Sequence, residues 1–522
     1  MKKIILTGIS LLLAAGSLQA QSEIDALKYS KTDLNGTARF MGMGGAFGAL
    51  GGDISTLANN PAGIAIYRSS EFATTLNLSS ISTDAVWNKT GVSNNKWKFA
   101  FNNATYVGTF KAKAEGFVNF NFGIGFNRLK EYTRNYTASN PSMNLSLTDF
   151  IATKTNNYNG GRGISESSLL SSNAYSNVNS WISILGYDAA LIDLQSGATN
   201  FYNPMNLNAY PAADLKISER GYLDEYNISF GGNVYDVFYF GASVGITDLN
   251  YKLSAVYKEN FGTGLGGFTM NNLLETRGSG VNLKAGVILK PTDFFRFGLA
   301  VHTPTFYKMT DYFDANIYNT YSDGTANHPT GSNAQVYVPE NSFAEYMLQS
   351  PFKMQASAAL ILGKKGILSM EYEFVDYANI KMKDVDGYAL DANNYIQEDF
   401  KAGHNLRFGG EFRITPQVSL RAGYATQPSP IKAHIINQDV EVEQYGATLT
   451  HYTLDRGTTY YTAGLGYRFG SVYTDFALVS KRMKEDLYAF SPIMNGTSWD
   501  VPEKATLKTN TLQALFTFGV KF

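Results

Sequence analysis

The chain contains no cysteine, so thiol catalysis, disulfides and cysteine-based metal sites are excluded. The five histidines are scattered, and no two of them have a spacing typical of metal ligands or of a catalytic triad. They are His302, His328, His404, His434 and His451. The segment Gly262–Gly267, "GTGLGG", fits the glycine pattern of a dinucleotide-binding turn, but no helical pattern follows it. The sequence therefore predicts no catalytic site, no metal site and no cofactor.

A glycine-rich stretch near the N-terminus, Met41–Ala65, is the most unusual segment: "MGMGGAFGALGGDISTLANNPAGIA". Its members include Gly44, Gly45 and Asp53, the last being its only charged residue. Glycine lets a backbone approach other chain segments closely, and a low charge avoids the burial of unpaired ions. Asn60-Pro61 ends a helix-like run over Ile54–Ala58. We expect this stretch to plug the interior of a larger element.

A second candidate site lies in the longest connection, where Trp181–Leu194, "WISILGYDAALIDL", is strongly apolar. Four apolar side chains share one face at helical spacing, namely Trp181, Ile184, Leu185 and Ile192. Two interpretations stay open and are compatible with each other. The helix packs down on other loops, or it offers an apolar landing site for a ligand.

The elements that must position these residues are β-strands. In Phe117–Arg128, "FVNFNFGIGFNR", aromatic and aliphatic residues alternate with Asn and Gly, so one face is apolar and the other small or polar. This period-two pattern recurs and predicts fourteen strands, many of them longer than ten residues. They lie near 71–83, 97–110, 116–130, 220–234, 238–253, 278–290, 294–309, 351–363, 366–381, 402–414, 417–427, 458–469, 472–482 and 508–522.

The connections alternate between short and long. Every second one is a tight turn, and the others are long, the longest running over about 131–219. This asymmetry is typical of outer-membrane barrels and not of a soluble sandwich or propeller. We therefore expect an all-β fold, a fourteen-stranded antiparallel transmembrane β-barrel, over residues 70–522. Residues 21–69 precede the first strand and would form a plug in its lumen.

Both ends of the chain indicate export to an outer membrane. Residues 1–20, "MKKIILTGISLLLAAGSLQA", read as a cleaved signal peptide. The last strand alternates apolar residues up to Phe522, which resembles the signal read by the barrel assembly machinery. A net charge of −1 gives no electrostatic reason to expect a nucleic-acid partner. We expect a multi-pass protein of the Gram-negative outer membrane, in contact with its lipid.

The plug sequence resembles a known family. "GMGGAFGALGGDISTLANNPAGIAIYRSSEF" is similar to the N-terminal hatch of the FadL/TodX family of outer-membrane channels for hydrophobic compounds. The Asn-Pro-Ala-Gly motif that ends the family's hatch is matched by Asn60, Pro61, Ala62 and Gly63. The resemblance continues in "RFGLAVHTP" and "LRFGGEFRITPQVSLRAGY" and in the strand count. The lead-in Lys28–Arg39 resembles members from the Bacteroidetes, some of which are labelled haemin receptors.

The resemblance implies passive uptake of a fatty acid or an aromatic hydrocarbon. The ligand would be captured on apolar loops, pass a moving hatch and leave through a wall gap at a kink in the third strand. In this chain that strand carries Gly123 and Gly125, which mark a bend or simply give the plug room. Two alternative functions stay open: a haemin receptor using His328, His434 or His451, and a barrel that binds a protein partner in secretion.

Overall fold

The computed structural model describes residues 22–112, 115–171, 180–194, 199–205, 211–262, 264–322, 334–337, 343–363, 365–437, 449–495 and 498–522. Residues 1–20, the expected signal peptide, lie outside the described residues. Fourteen strands form the wall. They are β1 Glu71–Trp87, β2 Thr90–Lys111, β3 Phe117–Glu131 with Arg134–Asn140, β4 Ala212–Val234, β5 Phe238–Asn260, β6 Gly267–Leu289, β7 Phe295–His302 with Phe306–Asn319, β8 Phe343–Gln349 with Lys353–Leu362, β9 Gly366–Val375 with Lys381–Lys383, β10 Gly403–Arg413, β11 Val418–Gln427, β12 Tyr452–Phe469, β13 Val472–Tyr488 and β14 Ala505–Lys521.

The strands close into a barrel. Each pairs antiparallel with its neighbours in sequence, and β1 pairs with β14 from Glu71↔Lys521 to Trp87↔Ala505. Closure satisfies the backbone hydrogen bonds of both would-be edge strands, which an apolar solvent requires. The predicted fold class and strand count are confirmed.

The two rims of the barrel differ. At one rim, called the short-turn rim, the connections are 112–116, 235–237, 290–294, 363–365, 414–417 and 470–471. The opposite rim, called the loop rim, carries the long connections. Two of its connections are short: the two-residue turn between β1 and β2, where Asn88 and Lys89 have φ of 44° and 65°, and the connection 261–266 between β5 and β6. Several strands also extend further toward the loop rim than the period-two pattern predicted; β4, for example, begins at Ala212.

The alternation of side chains gives the wall two different faces. On β3, Phe120 and Ile124 are exposed on the outside, while Asn121 and Gly123 are buried on the inside. Exposed Phe, Leu, Ile and Val residues recur on every wall strand, as expected where hydrocarbon is the solvent. None of the helices among the described residues is long and apolar enough to span a membrane.

The N-terminal segment before β1, residues 22–69, runs through the barrel from rim to rim and is called the plug. Helix α1, Glu23–Ser30, lies toward the loop rim, and α2, Ala38–Gly42, lies against β12 and β13. Two 3₁₀ helices follow, Ile54–Leu57 and Pro61–Ile66, and the second contacts β4, β5 and β6. Its contacts with strands all round the circumference place the plug inside the lumen.

The loops over the loop rim carry the remaining helices. They are α3 Leu147–Gly161, α4 Glu166–Ser171, α5 Trp181–Asp188, α6 Ala392–Asp399 and α7 Ala433–Asn437, with a 3₁₀ turn at Tyr377–Asn379. Short strands also occur there: Asp193–Leu194 pairs with Phe201–Tyr202, Ile493–Asn495 pairs with Ser498–Asp500, and Ala334–Tyr337 pairs with β7. The loop helices, α1 and the upper strand ends share one apolar core.

Candidate functional site

The predicted hatch residues come together in the plug. Asn60 caps the second 3₁₀ helix through its side-chain oxygen, which accepts the Ala62 N–H at 3.1 Å, and Pro61 occupies the first position of that helix. The Asn60 amide also donates to the carbonyl of Gly48 at 2.6 Å and to that of Val287 in β6 at 3.4 Å. Asn60 thus joins two turns of the plug to the wall.

Asp53 holds the other end of the same region. Its carboxylate accepts the Ser55 N–H at 2.9 Å and the Thr37 hydroxyl at 2.8 Å. Gly63 accepts the Gly52 N–H at 3.0 Å, so the chain returns on itself between the two caps. Gly44 and Gly45 have φ of 60° and 75°, which favours glycine.

The inner wall around the plug is highly polar. Glu371 of β9 accepts the Gly48 N–H at 2.8 Å and pairs with Arg407 of β10 at 2.5 Å. On the other side, Glu411 pairs with Arg421 at 2.6 Å and with Arg39 of the plug at 3.1 Å. Buried ions of this kind need such pairing to offset desolvation. Sequence reasoning missed these anchors, although single charges at inward positions of apolar strands, as in "MEYEF" and "LRF", were the available signal.

A cavity of about 150 Å³ lies on the loop side of the plug. Apolar side chains from α1 and the wall line part of it, namely Ile24, Leu27, Ile81, Tyr132 and Met483. The rest of its lining is charged, and most of the cations there have a carboxylate partner, for example Lys481 with Asp33 at 2.7 Å. Lys130 differs. Its ammonium donates to the Lys28 carbonyl at 2.7 Å and lies 4.9 Å from the Tyr132 ring centroid, with no carboxylate within 4.0 Å among the described residues.

Strand β3 kinks beside this cavity. Its register with β4 shifts between Arg128 and Lys130, and the ladder breaks between Glu131 and Arg134. Residues 130–134 form one side of the cavity. On β4, Gly221 faces the kink with φ of 136°, and its carbonyl accepts the Tyr132 N–H at 3.0 Å.

The kink separates β3 from β2. The two strands pair only from Asn103↔Asn127 to Lys111↔Asn119, and no ladder pairing to β3 extends over the Thr90–Asn102 part of β2 in the described structure. Side chains bridge the interval instead: Asn94 accepts the Thr137 N–H at 2.9 Å, Lys96 donates to Asn135 at 3.3 Å, and Lys98 lies 3.8 Å from Glu131. We call this interval the seam.

The seam borders the cavity at Glu131, which lines the cavity and lies 3.8 Å from Lys98 across the seam. The β3 side of the seam is formed by the kink, whose residues 130–134 line the cavity. On its outer side β2 presents Trp97 and Phe99, which are 69% and 64% exposed. Hydrogen bonds and ion pairs made by side chains break more easily than a continuous backbone ladder. The seam is therefore weaker than the part of β2 and β3 that is joined by a ladder.

The glycines predicted to mark the kink lie below it. At Gly123 and Gly125, β3 is paired on both sides. A Cβ at Gly123 would lie 2.8 Å from Leu57 of the plug, so this glycine gives the plug room. The role of the two glycines in a wall gap stays a prediction.

The predicted capture residues are gathered in the loop core. Ile184, Leu185 and Ile192 are buried, and Trp181 packs partly buried against the same cluster. The helix ends at Asp188, so Ile192 lies beyond it. Gly186 of this helix packs on Ile151 of α3. The apolar face is therefore covered in this conformation, and ligand capture stays a prediction.

Two of the three histidines considered as haem ligands lie among the described residues. His434 contacts Asp399 at 2.9 Å, and burial lowers the pKa of His451 to about 4, so that its ring is neutral. His328 lies outside the described residues. Within the described ranges, no group of three His, Asp or Glu side chains is arranged to hold a metal ion.

Comparison of folds identifies similar solved structures. A FadL homologue from Pseudomonas aeruginosa matches with a TM-score of 0.53 and 14% identity, over 93% of this chain and 99% of that chain. TodX, a toluene transporter of Pseudomonas putida, gives 0.49 and 13%, over 94% and 99%. TbuX, a toluene transporter of Ralstonia pickettii, gives 0.47 and 13%, over 94% and 98%. No protein-family model and no curated protein matches the sequence.

Proposed function

We propose that this chain, which has the fold of the Pseudomonas aeruginosa FadL homologue, is an outer-membrane channel for the passive uptake of hydrophobic small molecules. The apolar outer wall supports a membrane location, because exposed aromatic and aliphatic side chains on every wall strand need an apolar solvent. The N-terminal signal-like segment and the terminal Phe522 support export and insertion by the barrel assembly machinery. The loop rim would then face the outside and the short-turn rim the periplasm.

The observation that carries the proposal is the junction of cavity and seam. A ligand in the cavity touches the kinked part of β3, and the strand next to it is held there by side-chain bonds alone. Parting the seam would let an apolar molecule move sideways into the bilayer. It would not have to cross the polar lumen around the plug, where desolvating charged groups is costly.

The cavity lining favours an amphipathic ligand over a purely apolar one. Leu27, Ile81 and Met483 suit an alkyl chain, and Lys130 has no carboxylate partner among the described residues. A long-chain fatty acid would place its carboxylate at Lys130 and its chain against these apolar residues. Aromatic hydrocarbons such as toluene would use the apolar part alone.

The complete route in this proposal has three steps. The ligand is captured on the apolar loop residues Trp181, Ile184, Leu185 and Ile192, moves past α1 into the cavity, and leaves through the seam. The hatch residues from Gly44 to Gly63 close the lumen below the cavity and shift during passage.

The experiment locks the seam with a disulfide. The protein has no cysteine, so Asn94→Cys with Thr137→Cys introduces the only thiols, at two positions in contact across the seam, where the Asn94 side chain accepts the Thr137 N–H. Oxidation should lower the uptake of a radiolabelled long-chain fatty acid by intact cells about tenfold or more. Reduction of the same cells should restore it.

A second disulfide serves as the matched control. Ser480→Cys with Leu512→Cys joins β13 and β14, which are already continuously paired, and should not change uptake. If the oxidised seam variant takes up fatty acid at the rate of its reduced form, the ligand does not leave through the seam. If neither form takes up more than cells without the protein, the channel function itself is wrong.

A further inference from the structure

Three cations face outward from neighbouring strands near the loop rim. Arg482 and Lys484 belong to β13 and Lys508 to β14, and all three are exposed on the outer face of the barrel. The ladder places Lys484 directly opposite Lys508, and Arg482 lies two residues below Lys484 on the same face, opposite Asn510. The two strands thus carry a compact cluster of positive charge.

The opposed lysines lack the compensation that other cations nearby have. Like charges directly across a ladder destabilise it. Lys504 and Arg456 share Asp486, at 2.9 Å and 3.5 Å. Among the described residues neither Lys484 nor Lys508 has a carboxylate within 4.0 Å. Asp84 on β1 lies opposite Lys508 on the other side of β14 and accepts the Ser93 hydroxyl at 2.5 Å, but it forms no ion pair within 4.0 Å with Lys508.

Arg482 is held in place by an aromatic ring. Its guanidinium carbon lies 5.3 Å from the centroid of Tyr461 on β12, in a cation–π contact. The planar guanidinium keeps its donors free to bind two oxygens of one anion, and two flexible ammonium groups can close on the same anion from the rung above.

The height of the cluster fits a lipid headgroup. Leu478 and Leu512 are the last large apolar residues exposed on β13 and β14 before it. Arg482 and Lys508 each lie four residues further toward the loop rim, about 13 Å along the strand. This distance places the three cations above the hydrocarbon, in the polar headgroup layer of the leaflet at the loop rim.

We propose that Arg482, Lys484 and Lys508 form a binding site for the phosphate of a phosphorylated lipid in the outer leaflet. The proposal rests on the outer-membrane location and orientation proposed above, but not on transport. The anion would neutralise the opposed lysines, and the acyl chains of the same lipid would lie along the apolar wall below, over Leu478 and Leu512. Binding of this kind would anchor the outer wall of the barrel to the surrounding lipid. The bound lipid would not enter the lumen.

The test is a titration of the purified full-length protein, in detergent micelles, with diphosphorylated lipid A. Lys484→Gln and Lys508→Gln should each weaken binding roughly fivefold, as expected for one cation at a charged membrane surface, and the double variant more. Lys484→Arg with Lys508→Arg should keep the affinity of the wild type. Enzymatically dephosphorylated lipid A should bind the wild type as weakly as the double Gln variant binds the phosphorylated form.

Lys252→Gln is the matched control. Lys252 also faces outward toward the loop rim, but it pairs with Glu275 at 2.9 Å, so its removal should leave lipid A binding unchanged. Equal binding by the wild type and the double Gln variant, or by phosphorylated and dephosphorylated lipid A, would overturn the proposal. Fatty-acid uptake, measured separately, should be unchanged in the double variant, so a failure of the transport proposal is distinguishable from a failure of this one.

Discussion

Single glycines decide how closely the plug meets the wall. Gly44 has φ of 60°, and a Cβ built on it would lie 2.8 Å from the Phe408 carbonyl oxygen of β10 and 2.8 Å from the Tyr424 nitrogen of β11. Gly52 has almost the same φ, 65°, but a Cβ there would meet only Ile66 of the plug itself, at 3.4 Å. The two positions therefore share the cost of a left-handed backbone and differ only in their distance from the wall.

This difference gives a prediction at the residue scale. Gly44→Ala should loosen the plug by about 2 kcal/mol more than Gly52→Ala, since both pay the left-handed strain and only the first clashes with wall backbone. The readout is the rate at which a maleimide modifies Ala49→Cys, a position buried in the plug. The Gly44 variant should react about thirtyfold faster than the Gly52 variant. Equal rates would mean that the plug does not rest on the wall at Gly44.

The sequence indicated which residues belong to the plug, but it did not indicate which wall residues they contact. Asp53 and Asn60 were expected within the plug, and the structure shows that both cap the N-termini of short 3₁₀ helices. The wall charges that anchor the plug, such as Glu371 and Arg407, come from strands more than 300 residues away in sequence. Their pairing depends on strand register, which a local pattern does not contain.

At the scale of elements, the bend in β3 is the feature on which the proposed exit route depends most. The period-two pattern of β3 predicted the strand but not where the strand bends, and a role of Gly123 and Gly125 in a wall gap stays a prediction. The bend lies at residues 128–133, where the register shifts, and the glycine that accompanies it is Gly221 on the neighbouring strand. A bend set by two strands together leaves little trace in either sequence alone.

A strand residue supports the N-terminal cap of helix α3, whose capping box is formed by Ser146 and Asp149. Glu259 of β5 is buried, and its carboxylate accepts the Leu147 N–H at 2.7 Å, the Ser146 hydroxyl at 2.6 Å and the Tyr257 hydroxyl at 2.5 Å. It lies thirteen residues beyond Ile246, the last large apolar residue exposed on β5, and so outside the membrane-spanning part. Burial raises the pKa of Glu259 from 4.5 to about 7, against the opposing effect of its three donors.

The docking of α3 should therefore depend on pH. A folded-state pKa above the ordinary value means that the protonated form is favoured in the docked state. The stabilisation is complete below about pH 4.5 and is lost as the pH rises through about 7, by on the order of 3 kcal/mol. Hydrogen exchange of the α3 amides, corrected for the intrinsic rate, should show protection falling between pH 5 and pH 8.

Glu259→Gln is the control for this prediction. Glutamine keeps an acceptor oxygen for Leu147 and Ser146 but does not titrate, so protection of α3 should be nearly constant over the same pH range. A wild type whose protection does not change between pH 5 and pH 8 would contradict the assignment to Glu259.

At the scale of the whole molecule, the plug lies in a polar lumen and is expected to close it. The faces that it covers carry Asn121, Glu371, Arg407 and Arg421, which water would solvate readily if the plug were gone. Replacing Met41–Gly63 by a Gly/Ser linker of the same length should produce a stable ion conductance in planar bilayers that the wild type lacks. Circular dichroism should show the barrel intact. An intact barrel with wild-type conductance would mean that other parts of the chain seal the lumen.

The whole-molecule architecture was the part best predicted from sequence. Alternating faces, short and long connections and a final apolar strand together indicated a closed fourteen-stranded barrel, because each is imposed by the membrane and not by distant contacts. The loops were predicted least well. The face of α5 was recognised as apolar, yet its burial against α3 depends on how loops of different lengths fold over one another.

The position of the plug also bears on the order in which the plug is placed and the barrel is closed. The plug precedes β1 in the chain, and β1 forms the last junction of the wall with β14, from Glu71↔Lys521 to Trp87↔Ala505. This junction joins the most distant parts of the barrel sequence, so it is the slowest contact to find. Because the finished wall surrounds the plug, we expect the plug to lie inside the curling sheet before the two edges meet. We expect the glycine-rich segment inside the finished barrel to act during assembly as well, as the body around which the last strands close.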